Sequence, residues 1–562
     1  MAHTLFSTLR FPGVRRAIAA TAAMALSLAL SPTPALAADT AVAVNPSATA
    51  VPPALSDLGA TIEQGRYLAL AADCMACHTA VAGKPYAGGY AIASPLGTIY
   101  ASNITPSKTF GIGNYNEAQF ARALRQGVRA DGAHLYPAMP YTSYTQLSDA
   151  DVHALYTYFM EAVAPVEQAA PVTELPFPFN LRWSMLGWNA LFLNDRRFVP
   201  DPARSQQINR GAYLTGALAH CSACHTPRNP FMGERSGAGA ALSGAPLGSW
   251  HAPNITSDAV SGIGGWSDAE LAQYLKTGQV AGKAQAAGGM AEAIQNSLQY
   301  LHDDDIKAMV AYLRTVPPVR DSSNSSSSNR TGPAYAYGRA VSDEASLRGR
   351  NGPNEHASLT TGAVLYSGYC ASCHQPGGTG SIGLGGELTG RKTTGGITMD
   401  AGAGPATDAP VAGMPAAGVA TDMQPAQAYP ALLHNTATGA GNPANLVSVI
   451  LNGVERKVGD REVLMPRFDA YSYVNPLTDA QIASIANYVL KQYGNPDVTV
   501  SADYVAQARR GGPRPWLATI QPYIAPAIVL VVLLLLLAVA VVRNRRHRRR
   551  LASVSRGNMH HG

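Results

Sequence analysis

The sequence predicts a mainly α-helical protein built from three tandem repeats and followed by one C-terminal transmembrane helix. The same order of features occurs three times along the 562 residues: a glycine-led helix, a pair of cysteines, a loop and a closing amphipathic helix. In addition, the segment from Ile524 to Val542 is apolar without a single charge. Such a run is long enough to cross a bilayer. A chain of this length is expected to form about three or four domains.

Each repeat begins with a helix led by a glycine, at Gly65, Gly211 and Gly362. The first two repeats continue with matching Asn-Ile-Thr loops, which start at Asn103 and Asn254. Helices then follow at 116–126 and 267–277, where apolar residues recur at helical spacing. The closing helices are expected at 147–159, 302–313 and 477–489.

Capping signals mark where two of the closing helices begin. Thr478 and Gln481 have the spacing of a capping box, and Ser148 with Asp151 has a closely related pattern. We therefore expect both helices to start directly after the hydroxyl residue.

The N-terminus resembles a secretory signal peptide. Arg10, Arg15 and Arg16 precede an apolar run at 17–30, and Ala-Leu-Ala at 35–37 provides a cleavage site. A first transmembrane helix is the alternative, but the run is shorter than the roughly 20 residues that a span needs. The mature chain is therefore expected to start outside the cytoplasm.

An arginine block from Arg543 to Arg550 follows the apolar segment. By the positive-inside rule, the C-terminus stays in the cytoplasm and the preceding domains lie in the periplasm. The net charge of +6 does not describe the expected periplasmic part of the chain, because three basic residues lie in the signal peptide and seven lie from Arg543 onward. The remainder has 32 basic and 36 acidic residues. We expect no nucleic-acid partner.

Composition sets the boundaries. The segment 176–198 is too aromatic for a solvated linker, so it is expected to pack on a neighbouring domain or on a partner, with packing inside the chain favoured. The segment 384–427 is rich in Gly, Ala, Pro and Thr and is expected to be a long irregular loop. The predicted organisation is a signal peptide at 1–37, a leader at 38–58, domain 1 at 59–165, an aromatic interdomain segment at 166–205, domain 2 at 206–320, a Ser/Asn-rich linker at 321–355, domain 3 at 356–495 with the insertion 384–427, a linker at 496–520, a transmembrane helix at 521–542 and a cytoplasmic tail at 543–562.

All six cysteines fall in three C-x-x-C-H motifs, which is typical of covalent haem attachment. Two cysteines at this spacing form thioethers to one porphyrin, and the following histidine reaches the iron. Short disulfides would not require a histidine after every pair, and zinc sites need four ligands. The predicted attachment residues are Cys74, Cys77, Cys221, Cys224, Cys370 and Cys373, and the predicted iron ligands in the motifs are His78, His225 and His374.

Each repeat has a methionine before its closing helix that is expected to be the second iron ligand. Met139 lies between Pro137 and Pro140, Met465 precedes Pro466, and Met290 stands at a similar distance from its histidine. Methionine ligation raises the reduction potential of a haem. Weaker candidates are Met399, Met414 and Met423 inside the insertion, whereas Met309 is expected to be a core residue.

Four further residues have open roles. Asn103 and Asn254 either donate hydrogen bonds to haem propionates or stabilise turns. Tyr115 and Trp266 either pack at a haem edge or belong to the core. The sequence shows no Ser/His/Asp triad, phosphate loop or paired carboxylates, so no substrate-converting site is expected in this chain.

With these motifs the chain resembles the trihaem cytochrome c subunits of bacterial membrane-bound dehydrogenases that act on alcohols, gluconate or aldehydes. The resemblance also rests on Tyr136 to Tyr141, the aromatic segment from Pro176 to Trp183, and Gly289 to Leu301. It implies three tandem class I cytochrome c-like domains that hold three covalent haems c.

The family resemblance also implies a role and partners. A separate catalytic subunit with a pyrroloquinoline quinone, flavin or molybdenum cofactor would reduce the haems, which would pass electrons to ubiquinone or a terminal oxidase at the inner membrane. Two alternatives stay open: a subunit of, or donor to, a terminal oxidase, and a haem peroxidase with one open coordination position, for which Met290 is the place to look.

Overall fold

The computed structural model describes residues 55–235, 237, 239–320, 332–338, 361–382 and 427–557. The predicted signal peptide, the leader up to residue 54, most of the Ser/Asn-rich linker and nearly all of the insertion at 384–427 lie outside the described residues. The described part is largely helical, and its strands form short antiparallel pairs. The prediction of a mainly α-helical chain is therefore confirmed.

Repeat 1 places short helices and one strand pair around two long helices. The closing helix starts as predicted, because the Ser148 hydroxyl accepts a hydrogen bond from the backbone N–H of Asp151. Asn116 caps the middle helix through the N–H of Gln119. The elements are α1 (Leu55–Ala71), α2 (Cys74–His78), β1 (Ala91–Ser94), β2 (Gly97–Tyr100), α3 (Glu117–Gln126), α4 (Tyr141–Tyr144) and α5 (Asp149–Glu161).

Repeat 2 follows the same order, after helix α6 (Met185–Phe192) of the aromatic segment. It differs from repeat 1 in placing Met290 on a helix of its own. Its elements are α7 (Gln206–Tyr213), a π-helical turn (Leu214–Leu218), α8 (Ser222–His225), β3 (Ala245–Leu247), β4 (Trp250–Ala252), α9 (Asp268–Thr277), β5 (Gln279–Val280), β6 (Ala284–Gln285), α10 (Gly288–Asn296), a 3₁₀ turn (Leu298–Tyr300) and α11 (Asp303–Thr315).

Repeat 3 has the same helix pair, and a β-hairpin carries its candidate methionine. The strands at the two ends of the insertion pair with each other, Ser381 with Tyr429. The closing helix has the predicted capping box of Thr478 and Gln481. The elements are α12 (Gly362–Tyr369), α13 (Ala371–His374), β7 (Ser381–Ile382), β8 (Gln427–Tyr429), α14 (Ala444–Asn452), β9 (Val454–Val458), β10 (Arg461–Met465) and α15 (Asp479–Tyr493).

The leading glycine of each repeat lets its first helix cross the closing helix at very short range. A side chain there would collide with a backbone carbonyl of the closing helix, so only glycine fits. A Cβ atom would lie 2.0 Å from Ala154 O at Gly65, 1.9 Å from Ala308 O at Gly211 and 2.2 Å from Ser484 O at Gly362. The repeated glycine of the sequence is thus a repeated helix crossing.

Three cores stabilise the described chain, and the smallest lies within repeat 2 around Leu271 and Trp266. Buried side chains of repeats 1 and 2 form one continuous core, in which Leu155 and Ile294 are typical members. Repeat 3 has its own core around Ile485. The segment 496–520, which was expected to be a linker, instead contains helix α16 (Ala502–Arg509). Its Val505 is fully buried in the core of repeat 3, because an apolar face lets the segment pack rather than stay solvated.

The aromatic segment packs against repeats 1 and 2, as favoured from the sequence. The Trp188 indole N–H donates a hydrogen bond to Phe231 O at 3.0 Å, and the Tyr141 hydroxyl donates to Asn189 Oδ1 at 2.8 Å. Trp183 and Leu191 nevertheless stay exposed. The segment is therefore an ordered connection between the first two repeats.

Helix α17 (Trp516–Gly557) ends the described chain. By length and composition its part from Trp516 to Arg548 could cross a membrane, and no residue of its apolar stretch is buried in the protein. The helix begins before the predicted start at residue 521 and continues through the arginine block, because arginine is a good helix former.

Candidate haem sites

Each cysteine motif forms a short helix at the end of the first long helix of its repeat. In repeats 1 and 2 the residue before the first cysteine is left-handed, with φ of 53° at Asp73 and 38° at His220. This conformation turns the chain sharply, so that α2 and α8 leave the direction of the preceding helix. The motif side chains of both repeats are thereby set against the core, where Cys74 and Cys221 pack.

Each of the three motif histidines makes the same kind of hydrogen bond. In each ring Nδ1 pairs with a backbone carbonyl, which fixes the ring and leaves Nε2 as the nitrogen available to a metal. Burial lowers the pKa of all three imidazoles, so they stay neutral at pH 7, the form that binds iron. The distances are 2.7 Å from His78 to Ser102 O, 2.7 Å from His225 to Pro253 O and 2.9 Å from His374 to Pro430 O.

The six cysteines form no disulfides and are partly buried. Burial raises the pKa of Cys74, Cys221 and Cys370 to about 12. Reactive C-x-x-C dithiols show the opposite shift, because a low pKa makes the attacking thiolate. These thiols therefore lack the low pKa of a redox-active dithiol.

One mostly apolar cavity of about 590 Å³ joins the sites of repeats 2 and 3. Its wall contains both cysteines, the histidine and the candidate methionine of each repeat, Met290 with His225 and Met465 with His374. Cys77 of repeat 1 also lines it. A porphyrin needs apolar faces, two thiols and ligands for its iron, and the residues of this cavity fit that requirement.

Met139 lies in a tight loop that packs against the shared core of repeats 1 and 2, which Cys74 also contacts. Its backbone N–H donates to Tyr136 O at 3.1 Å, and its carbonyl accepts from Tyr141 N at 2.8 Å. These bonds fix the loop that presents the sulfur. Met309 is only 1% exposed in the core, as expected, and Met399, Met414 and Met423 lie outside the described residues.

The structure decides the open roles of the two asparagines in favour of the turn. Asn103 donates both amide hydrogens, to Val166 O at 2.9 Å and to Gln168 O at 3.0 Å, and accepts from Thr105. Asn254 likewise donates to Val319 O at 2.6 Å and accepts from Thr256. Asn103 therefore has no hydrogen left for a propionate, and both side chains lock the loop that carries the histidine-binding carbonyl.

Tyr115 and Trp266 differ in their surroundings. Tyr115 packs on the shared core of repeats 1 and 2, and its carbonyl accepts from the Tyr156 hydroxyl at 3.0 Å. Trp266 belongs to the core of repeat 2, 5.6 Å from the Tyr274 ring, and also lines the cavity. Trp266 thus faces a candidate haem site, and Tyr115 packs on the core that Met139 and Cys74 also contact.

Sequence reasoning missed the carbonyl partners of the histidines. Ser102 and Pro253 directly precede the two Asn-Ile-Thr loops, so the matching loops were a signal for them. Repeat 3 lacks that loop and uses Pro430 instead.

The fold and the sites together define a c-type cytochrome. The cytochrome c family matches residues 62–162 and 359–492, which lie in repeats 1 and 3. The chain is 46% identical over 474 residues to the fructose dehydrogenase cytochrome subunit of Gluconobacter japonicus, covering 84% of this chain and 86% of that protein. It is 36% identical to the gluconate 2-dehydrogenase cytochrome c subunit of Pantoea cypripedii, over 80% and 90% of the two chains.

A third relative is the cytochrome c subunit of the quinone-type alcohol dehydrogenase of Gluconacetobacter polyoxogenes, 34% identical over 81% of this chain and 85% of that one. The chain belongs to this family of dehydrogenase cytochrome c subunits.

Proposed function

We propose that this chain is a membrane-anchored, periplasmic electron-transfer subunit with three tandem class I cytochrome c-like domains, one covalent haem c in each. The observation that supports it best is the threefold repetition of one arrangement: a C-x-x-C-H helix whose histidine Nδ1 is held by a backbone carbonyl. A bound haem supplies a one-electron couple. The protein's residues attach it, orient it and keep water from it.

The roles follow from the chemistry of the side chains. The six motif cysteines form the thioethers, and the three motif histidines bind iron through Nε2. Met139, Met290 and Met465 would supply the second protein ligand of each iron. Two protein ligands on each iron leave no position for a substrate, so the sites exchange electrons and do not bind peroxide. Met290 and His225 line the same cavity, which supports this for repeat 2.

The position of the sites supports exchange among them. The candidate haem sites of repeats 1, 2 and 3 are called sites 1, 2 and 3. Sites 2 and 3 share one cavity, and Cys77 of site 1 also lines this cavity. Electrons that enter at one site therefore reach the others without crossing a layer of solvent. The source is a catalytic dehydrogenase subunit, with a pyrroloquinoline quinone, flavin or molybdenum cofactor, that oxidises an alcohol, an aldehyde or a sugar or its acid.

Helix α17 anchors the chain in the inner membrane, with the arginine block in the cytoplasm and the haem domains in the periplasm. The acceptor is ubiquinone or a terminal oxidase.

The test is reduction of the cytochrome by substrate in isolated membranes. Membranes that contain this chain and its partner are given fructose, ethanol or gluconate, and the absorbance of reduced haem c is followed. We expect one substrate to reduce the haems and a ubiquinone analogue to reoxidise them. Membranes from cells that lack this chain are the control. Haems that none of these substrates or related alcohols, aldehydes and sugar acids reduces would contradict the proposal.

A further inference from the structure

Arg456 on strand β9 is a buried cation at the boundary between repeats 2 and 3. Only 1% of its surface is exposed. One terminal nitrogen donates a hydrogen bond to Ala286 O at 2.6 Å, while its buried Nε has no partner. The guanidinium lies directly on Gly278, where a Cβ atom would be 2.8 Å from Cζ. The arginine is therefore fixed in place.

Its charge is not balanced by a carboxylate. In the part of the chain that the structure describes, no Asp or Glu forms an ion pair with Arg456. Two other buried cations each have such a partner, Arg125 with Asp149 at 2.7 Å and Lys276 with Asp303 at 3.1 Å. Burying an unpaired charge is costly, so this arginine needs a reason beyond packing.

Arg456 adjoins the candidate haem cavity. Its hydrogen-bond partner Ala286 stands between Gln285 and Ala287, which both line the cavity, four residues before Met290. Across the hairpin it pairs with Val463, another wall residue. Tyr274 also lines the cavity.

We propose that Arg456 is a positioning residue that raises the reduction potential of the haem in site 2, an inference that rests on the proposed function. Reduction adds one electron, supplied by the dehydrogenase subunit, and neither makes nor breaks a bond. The site thereby loses one positive charge. A fixed cation nearby repels the oxidised site more than the reduced one, and low dielectric surroundings strengthen this effect. Arginine stays protonated throughout the physiological range.

The experiment is potentiometric titration of the full-length protein in detergent. Arg456→Gln removes the charge and keeps a donor for Ala286 O, whereas Arg456→Lys keeps the charge. Arg461→Gln, an exposed arginine on the same hairpin, is the matched control. The component of site 2 is identified with Met290→His, which lowers its potential. If Arg456→Gln loses haem, Arg456→Met takes its place.

We expect Arg456→Gln to lower the reduction potential of site 2. Arg456→Lys should keep a potential close to that of the wild-type protein, because the positive charge is retained. Arg461→Gln should leave the potential unchanged, because solvent screens the charge of Arg461. Three haems with unchanged potentials in the neutral variant, or equal losses in the Gln and Lys variants, would overturn the inference. Failure of the proposed function looks different, since no third haem component would then titrate even in the wild-type protein.

Discussion

Tyr67 of repeat 1 and Tyr213 of repeat 2 each make the same two hydrogen bonds to the start of the closing helix of the other repeat. The Tyr67 hydroxyl donates to Asp305 at 2.6 Å and accepts from His302 N at 3.1 Å. The Tyr213 hydroxyl donates to Asp151 and accepts from Ser148 N at 3.1 Å. Since the residues of each pair are equivalent in the two repeats, they meet as in a twofold-symmetric dimer.

Repeat 3 cannot join in this way. Its equivalent positions hold Val364 and Gln481, which supply neither the phenol nor the carboxylate. The pairing thus specifies which two repeats share a core. Repeat 3 contacts repeat 2 instead through the hairpin that carries Met465 and through helix α14, whose Asn445 bonds to the backbone of His251.

Replacing Tyr67 by Phe should destabilise the pairing of repeats 1 and 2. The ring still stacks on His302, 4.3 Å away in the native protein, but Asp305 loses one donor. A hydrogen bond to a charged group contributes about 1.5–3 kcal/mol, and partial exposure reduces this to about 1–2 kcal/mol. Urea unfolding measures the loss. Tyr471→Phe, at a position 81% exposed, is the control, and equal stability of both variants would contradict the role of Tyr67.

The same interface should weaken in acid. Burial opposes ionisation of Asp305, but hydrogen bonds from Arg210 and Tyr67 outweigh it and lower the pKa of this carboxyl. A lowered folded-state pKa gives stability above the unfolded pKa of about 4, and that stability is lost as pH falls through the lower folded value. Asp305→Asn should therefore cost most at neutral pH and progressively less below about pH 4.

The neighbouring Asp304→Asn is the matched control, because the Asp304 side chain is 97% exposed. Unfolding free energies of both variants, measured from pH 7 to pH 3, test the prediction. A cost of Asp305→Asn that does not shrink with acid would contradict it.

Replacing Met139 or Met465 by Ala should lower the potential of one haem without loss of attachment, because the thioethers remain. Potentiometric titration and haem content measure the two effects. Met160→Ala is the control: it removes a partly buried methionine that packs against the shared core of repeats 1 and 2 and is not part of the cavity wall, so it should leave all potentials unchanged. Unchanged potentials in the Met139 and Met465 variants would remove these two from the ligand set.

A chain that ends at Gly512 should leave the membrane and keep its haems. This end preserves α16, whose Val505 is buried in repeat 3, and removes only α17. Fractionation of cells, with haem content measured in each fraction, checks the outcome. Retention of the shortened chain in the membrane would show that another surface anchors it.

Features encoded by neighbouring residues were predictable from the sequence. The capping box of Thr478 and Gln481 is present, and a first helix with the predicted glycine occurs in all three repeats. Only Gly362 begins its helix, however, whereas Gly65 and Gly211 lie inside α1 and α7, which start earlier than predicted. The register that selected Met290 agrees with its place on the cavity wall, and its role as an iron ligand stays a prediction.

Contacts between repeats were beyond the reach of local patterns. Tyr67 and Asp305 are 238 positions apart, and nothing around Arg456 indicates that it will be buried against Ala286. Asn103 shows the same limit at shorter range, because its partners Val166 and Gln168 follow the closing helix. Helix α16 was missed because its polar face suggested a linker, and its buried face is only a narrow row of side chains.

The number of haems per chain tests the central claim most directly. Pyridine haemochrome spectra and intact-protein mass, measured on the purified full-length chain, should give three covalently bound haems c. A double variant with Cys221→Ala and Cys224→Ala should give two. A wild-type count other than three, or haem that acid-acetone extracts from the protein, would contradict the account.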